Sequence, residues 1–194
     1  MMTIEKTTPA IWVGDLAAYN AGILHGEWIK LDGASIEELQ AAVNDILDEG
    51  TRRYSDETLS EHEEFGIFDF EGFGPIKLDQ YESLTTVLEH VERMGDDPAR
   101  YFAYVSVHGE HYADQFDADL VRGPYDDEND YAWEYLENQI GSCDLGGWLE
   151  SKGMPADLVL GIVFDPAKLI REWRCASSLD FARIGQKIYA VESY

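Results

Sequence analysis

Residues 10–47 read AIWVGDLAAYNAGILHGEWIKLDGASIEELQAAVNDIL. Ala10–Gly14 is short, apolar and β-branched, and follows Pro9, so it predicts a strand. Asp15–Gly26 predicts a structured loop with Tyr19-Asn20-Ala21-Gly22 as its turn, and Leu24–Leu31 a second strand around Trp28. Ser35 then opens a helix: Glu38, three residues on, completes the sequence pattern of a capping box. Ile36, Leu39, Val43, Ile46 and Leu47 fall on one helical face, and Glu37, Glu38, Asp45 and Asp48 on the opposite one. Strands followed by a long amphipathic helix fit an α+β fold.

Working outward, Phe65–Phe70 predicts a third strand, and Glu71-Gly72-Phe73-Gly74-Pro75 breaks the chain. Beyond Pro75 the period becomes helical, with Tyr81, Leu84, Leu88 and Val91 as the expected apolar face of a helix near 80–93. Gly95-Asp96-Asp97-Pro98 ends it and starts another, Asp97 being the N-cap and Pro98 the first helical residue. Residues 99–107 suit a helix or a buried strand, and that start signal favours the helix. Leu120–Gly123 predicts a short strand, 127–140 a helix, and Lys187–Val191 a closing strand. The expected architecture is α+β, with antiparallel strands plus helix over 1–74, helices over 75–118, and strands plus helices over 119–194.

The formal net charge is −25, and it is unevenly placed. Residues 35–98 hold 18 Asp and Glu against 4 Lys and Arg, residues 110–144 hold 11 against 1, and residues 150–194 are balanced at 6 of each. A charge of this sign repels nucleic acid and anionic membranes and favours partners with a basic groove. With 5 Trp, 11 Tyr and 8 Phe the acid decorates folded elements rather than a disordered tail. Asp79, Glu82, Glu89 and Glu92 recur as one stripe near 80–93; Asp127, Asp130, Glu134 and Glu137 form another near 127–140. Like charges at such spacings cost a helix roughly 0.2–0.5 kcal/mol per pair, so several stripes call for a compensating purpose. Asp96, Asp97, Asp114, Asp117, Asp119 and Asp126 extend the array between them. Two chains would match the phosphate charge of roughly 25 base pairs, at two charges per base pair.

Other motifs carry less. Asp126–Glu137 has acids at EF-hand positions, but Tyr131 stands where that loop needs glycine. His108-Gly109-Glu110-His111 with Asp114 fits no zinc spacing, so no metal and no cofactor is expected. Cys143 and Cys175 give no disulfide framework. There is no apolar leader or membrane-length run, which leads to the expectation of a cytoplasmic protein. No nucleophile elbow or phosphate loop stands out, so the expectation is a binding protein and not an enzyme.

Three segments together resemble the ArdA family of antirestriction proteins. Ile11–Trp28 looks like the family's opening strand, YN-x-G turn and G-x-W strand; Glu64–Phe73 (EFGIFDFEGF) is similar to its D-x-E strand end. Leu149–Leu158, running on through Phe164-Asp165, resembles the antirestriction motif with its G-x-P turn at Gly153-Met154-Pro155. The chain departs from the family after that turn, where Ile162-Val163-Phe164-Asp165-Pro166 replaces an aromatic-rich pattern; Pro166 is expected to shorten or kink the helix. The resemblance implies three small domains in a curved row, a homodimer formed through the C-terminal domain, and inhibition of type I restriction-modification enzymes by mimicry of bent B-form DNA. The dimer contact is then expected within 119–194, with Leu158, Val159, Ile162 and Phe164 as candidates. The competing reading is an acidic binding module for another basic DNA-binding protein.

Overall fold

The computed structural model describes residues 8–58, 61–140, 147, 151–153 and 165–193. The chain divides into two compact units, residues 1–105 and 106–194. The expected junction at 74/75 falls inside the first unit and that at 118/119 inside the second. The described residues are mixed α+β, with one three-stranded antiparallel sheet in each unit.

In the first unit, β1 (Ala10–Asp15) lies between β2 (Gly26–Lys30) and β3 (Phe65–Glu71). Trp12 pairs with Trp28 across one edge and with Asp69 across the other, and a bulge separates the Trp12 and Val13 registers on β3. The expected loop after β1 is in part a helix, α1 (Leu16–Asn20), because the Asp15 side chain accepts from Ala18 N and caps it. α2 (Ile36–Tyr54) starts as the sequence predicts: Ser35 Oγ accepts from Glu38 N, and Glu38 Oε2 from Ser35 N at 2.9 Å. Its Leu39, Val43, Ile46 and Leu47 are buried, and the helix packs on β1 and β2, whose Ile11 and Val13 are fully buried. Each such side chain contributes on the order of 1.5–3 kcal/mol by leaving water.

α3 runs from Leu84 to Met94, later than the sequence suggests, because Ser83 is the true N-cap and accepts from Thr86 N. Tyr81 therefore lies outside the helix and is 71% exposed. The buried face is Leu84, Val87, His90 and Met94, rotated from the expected Tyr81, Leu84, Leu88 and Val91. A histidine occupies that face because its Nδ1 is hydrogen-bonded to the Tyr101 hydroxyl at 2.6 Å. α4 (Pro98–His108) begins at Pro98 as expected.

In the second unit, two short 3-10 turns (Glu110–Gln115 and Ala118–Leu120) lead into β4 (Val121–Tyr125). α5 (Glu128–Ile140), α6 (Pro166–Cys175), β5 (Leu179–Ile184) and β6 (Lys187–Glu192) follow, and the sheet order is β4-β6-β5. β5 and α6 are elements the sequence reading did not assign. Pro166 sits at the first helical position of α6 behind the Asp165 cap, where its missing N–H costs nothing. Tyr131 is the hub of the core, with ring centroids of Tyr125 and Trp173 at 5.4 Å and of Phe181 at 5.8 Å.

Candidate functional site: a carboxylate surface

Of the eighteen acidic residues singled out by sequence, all are exposed except Glu82, which is half-buried. In the first unit, Glu37, Glu38, Asp45 and Asp48 stand on the solvent face of α2, as the period requires. The stripe expected near 80–93 is not a single helical stripe. Only Glu89 and Glu92 ride on α3; Asp79 and Glu82 belong to the preceding turn, where Asp79 Oδ1 accepts from Tyr81 N at 2.9 Å. Asp96 and Asp97 occupy the joint between α3 and α4, Asp97 pairing with Arg100 at 3.2 Å. Arg93 reaches Glu89 at 3.3 Å.

In the second unit, Asp114 lies in the first 3-10 turn, and Asp117 caps the next by accepting from Asp119 N at 2.9 Å. At the start of α5 the acids are interlocked with the backbone. Asp127 Oδ1 accepts from the amides of Asn129 and Asp130 at 2.8 and 3.1 Å, and Asp130 Oδ2 from those of Asp126 and Asp127, both at 3.3 Å. Carboxylates at a helix N-terminus are also favoured by its dipole, which offsets part of their mutual repulsion. Glu134 accepts from the Tyr125 hydroxyl at 2.9 Å, while Glu137 lies exposed one turn on. Asp127 precedes α5, so the second stripe keeps Asp130, Glu134 and Glu137 on the helix itself.

The electrostatics follow these contacts. The Ser35 amide, then the Ser35 hydroxyl, hold the Glu38 carboxyl below its ordinary range. The Lys187 ammonium, 2.5 Å from Asp126, does the same for Asp126, and Lys187 is raised in return. Burial, then the hydrogen bond to Glu134, pushes the Tyr125 phenol well up.

The calcium-like window becomes helical from Glu128, and Tyr131 is packed into the core rather than forming the turn of a loop. His108 Nε2 donates to the Glu192 carbonyl at 3.1 Å. Among the described residues, no three or more His, Cys, Asp or Glu are grouped to hold a metal ion. No described helix is long and apolar enough to cross a membrane. Leu158, Val159, Ile162 and Phe164, expected at a dimer contact, lie outside the described residues.

Sequence reasoning missed a buried polar cluster. His62 Nδ1 donates to Asp15 Oδ2, and its Nε2 is 3.0 Å from Thr58 Oγ1. Gly50 of α2 lies against both groups, since a Cβ there would come within 2.0 Å of Asp15 Oδ2. The pair spans 47 residues of sequence, and no local pattern announces it.

Residues 11–187 match the model of the antirestriction protein family ArdA. The chain belongs to the ArdA family of antirestriction proteins. The match reaches into both compact units and takes in all eighteen of the acidic residues singled out above. No curated protein matches the chain.

Proposed function

We propose that this protein occupies the DNA-binding channel of a type I restriction-modification enzyme, as an acidic mimic of B-form DNA, and blocks it competitively. The observation that carries the reading is the fixed exposure of its carboxylates. They project from helices, caps and turns, and several are held by backbone amides at 2.8–3.3 Å. DNA-binding channels gain affinity from Lys and Arg contacts to phosphate and from release of counterions. An array of carboxylates on a folded scaffold makes comparable ion pairs without the ordering cost of a flexible polyanion. It presents no base edges, so inhibition is independent of recognition sequence. The protein acts in the cytoplasm by binding, as a homodimer joined through residues 119–194 that doubles the charged length.

The test is competition between the protein and a DNA duplex for a purified type I methyltransferase core, across a salt series. Displacement that weakens steeply as salt rises is the expected result. No displacement at low salt would overturn the reading and favour a different basic DNA-binding protein as partner. Because the field is shared, Glu137→Gln alone is expected to leave displacement within about twofold, at under roughly 0.5 kcal/mol for one exposed charge.

A further inference from the structure

The first sheet is covered on one side by α2. Its other face is aromatic. Trp12 and Trp28 are cross-strand partners, so their side chains share that face and are neighbours. The Trp12 ring lies down over Gly14 and Gly26: a Cβ at either position would come within 2.6 or 2.7 Å of its indole carbons. Phe68, thrown onto the same side by the bulge, meets Trp12 edge-on at 5.7 Å, and Tyr19 tilts against Phe68 at 4.6 Å. Trp28 and Tyr19 remain 48% and 51% exposed, so this is no buried core.

Acids flank the rings. Asp69 is the partner of Trp12 on β3, and Glu71 that of Ala10; both are exposed. Lys30, opposite Ala10, is the cation of the face. Aromatic sheet faces also stack nucleic-acid bases, but they do so within a positively charged groove. Here the chain carries −25, and the face itself holds Asp69 and Glu71. The side chain that matches both a π-face and a neighbouring carboxylate is arginine, whose planar guanidinium stacks on indole while donating in-plane to oxygen. Lysine, a hydrated point charge, gains less from the rings.

We infer that this face, Trp12, Trp28, Phe68 and Tyr19 beside Asp69 and Glu71, seats arginine side chains of the basic partner and gives the surface a preference for arginine over lysine. The inference rests on the polyanion reading above but adds chemistry that charge alone does not supply. A pure carboxylate field attracts both cations, whereas aromatic rings beside Asp69 and Glu71 select between them. Flat, half-exposed rings surrounded by polar residues are also the usual anchors of protein interfaces.

The experiment is calorimetric titration of the full chain with oligoarginine and with oligolysine of equal length, in wild type, Trp28→Leu and Trp28→Tyr. Wild type is expected to favour oligoarginine by on the order of 3- to 10-fold, within the range of partly exposed cation–π contacts. Trp28→Leu should bring that ratio down while moving oligolysine affinity less than about twofold, and Trp28→Tyr should keep most of it. In parallel, the indole N–H resonances of wild-type Trp12 and Trp28 should shift with oligoarginine and much less with oligolysine, a readout that needs no variant to fold. An unchanged ratio in Trp28→Leu, or indole signals indifferent to oligoarginine, would overturn the inference and leave the polyanion reading standing. Binding of neither peptide would overturn both. A fall in oligomer mass on Trp28→Leu in sedimentation, with the ratio unaltered, would reassign the face to contact with a second copy.

Discussion

His62 donates its Nδ1 proton to Asp15 Oδ2 in the interior of the first unit, and the two side chains are 2% and 0% exposed. Asp15 also caps α1 through its other oxygen, so a single carboxylate fixes the end of β1, the start of α1 and the segment before β3. Removing one member of a buried pair leaves its partner desolvated and unsatisfied, at about 3–5 kcal/mol. Asp15→Ala is therefore expected to lose stability of that order in urea unfolding. A loss under about 1 kcal/mol would mean that water or another group replaces the carboxylate. Gly50→Ala should destabilise for a separate reason, since its methyl group would displace Asp15 or push α2 off the sheet.

The start of α2 rests on reciprocal bonds between Ser35 and Glu38. Ser35→Ala should cost about 0.5–2 kcal/mol in chemical unfolding. Because the Glu38 carboxyl is held low by the Ser35 amide and hydroxyl, its contribution is complete above the ordinary glutamate range. It is lost as pH falls through the lowered value. Carbon-detected titration of the Glu38 carboxyl should show a midpoint below the ordinary glutamate range, and the lowering should shrink in Ser35→Ala, which removes the hydroxyl and keeps the amide.

Burial, with the Glu192 charge adding to it, pushes the Tyr131 phenol up from 10.0 to about 12. The folded state thus holds this proton more tightly than the unfolded chain. The stabilisation is intact below pH 10 and drains away between pH 10 and about 12. Ultraviolet titration of tyrosinate should show a late component that is smaller by one tyrosine in Tyr131→Phe. The same variant should lose stability less steeply over that interval.

Arg174 on α6 reaches Glu128 at the start of α5 at 2.7 Å and Asp180 on β5 at 3.3 Å, with its guanidinium 5.5 Å from the Phe181 ring centre. Each of these partly exposed contacts is small by itself, but they share one already ordered side chain. Arg174→Ala is expected to cost about 1–2 kcal/mol, read as a lower melting temperature. Arg174→Lys should recover only part, because the fork and the ring contact are both lost.

The elements readable from sequence were those with local causes. The Ser35–Glu38 box, Pro98 at a helix start, and the short apolar, β-branched run Ala10–Gly14 are all short-range signals. Readings failed where a distant partner decided the outcome. His90 takes a core position on α3 with its Nδ1 hydrogen-bonded to Tyr101, so the apolar period pointed to Leu88 and Val91 instead. The bond between Asp15 and His62 was hidden for the same reason, as was the strand Leu179–Ile184, whose burial depends on β6 and Tyr131. The acidic surface was legible residue by residue. Its division among helix faces, caps and turns was not, because Asp79, Asp117 and Asp127 earn their places through backbone amides.

The hydrogen bond between His90 and Tyr101 joins α3 to α4 independently of the peptide that connects them. That connection, Gly95-Asp96-Asp97, is exposed throughout. The two helices are thus clasped from within and tethered from without, and the tether is the dispensable half. A chain opened at Asp96 by a designed cleavage site should keep its α3–α4 pairing, which makes this joint a place to measure how far the inner clasp alone holds the two helices together.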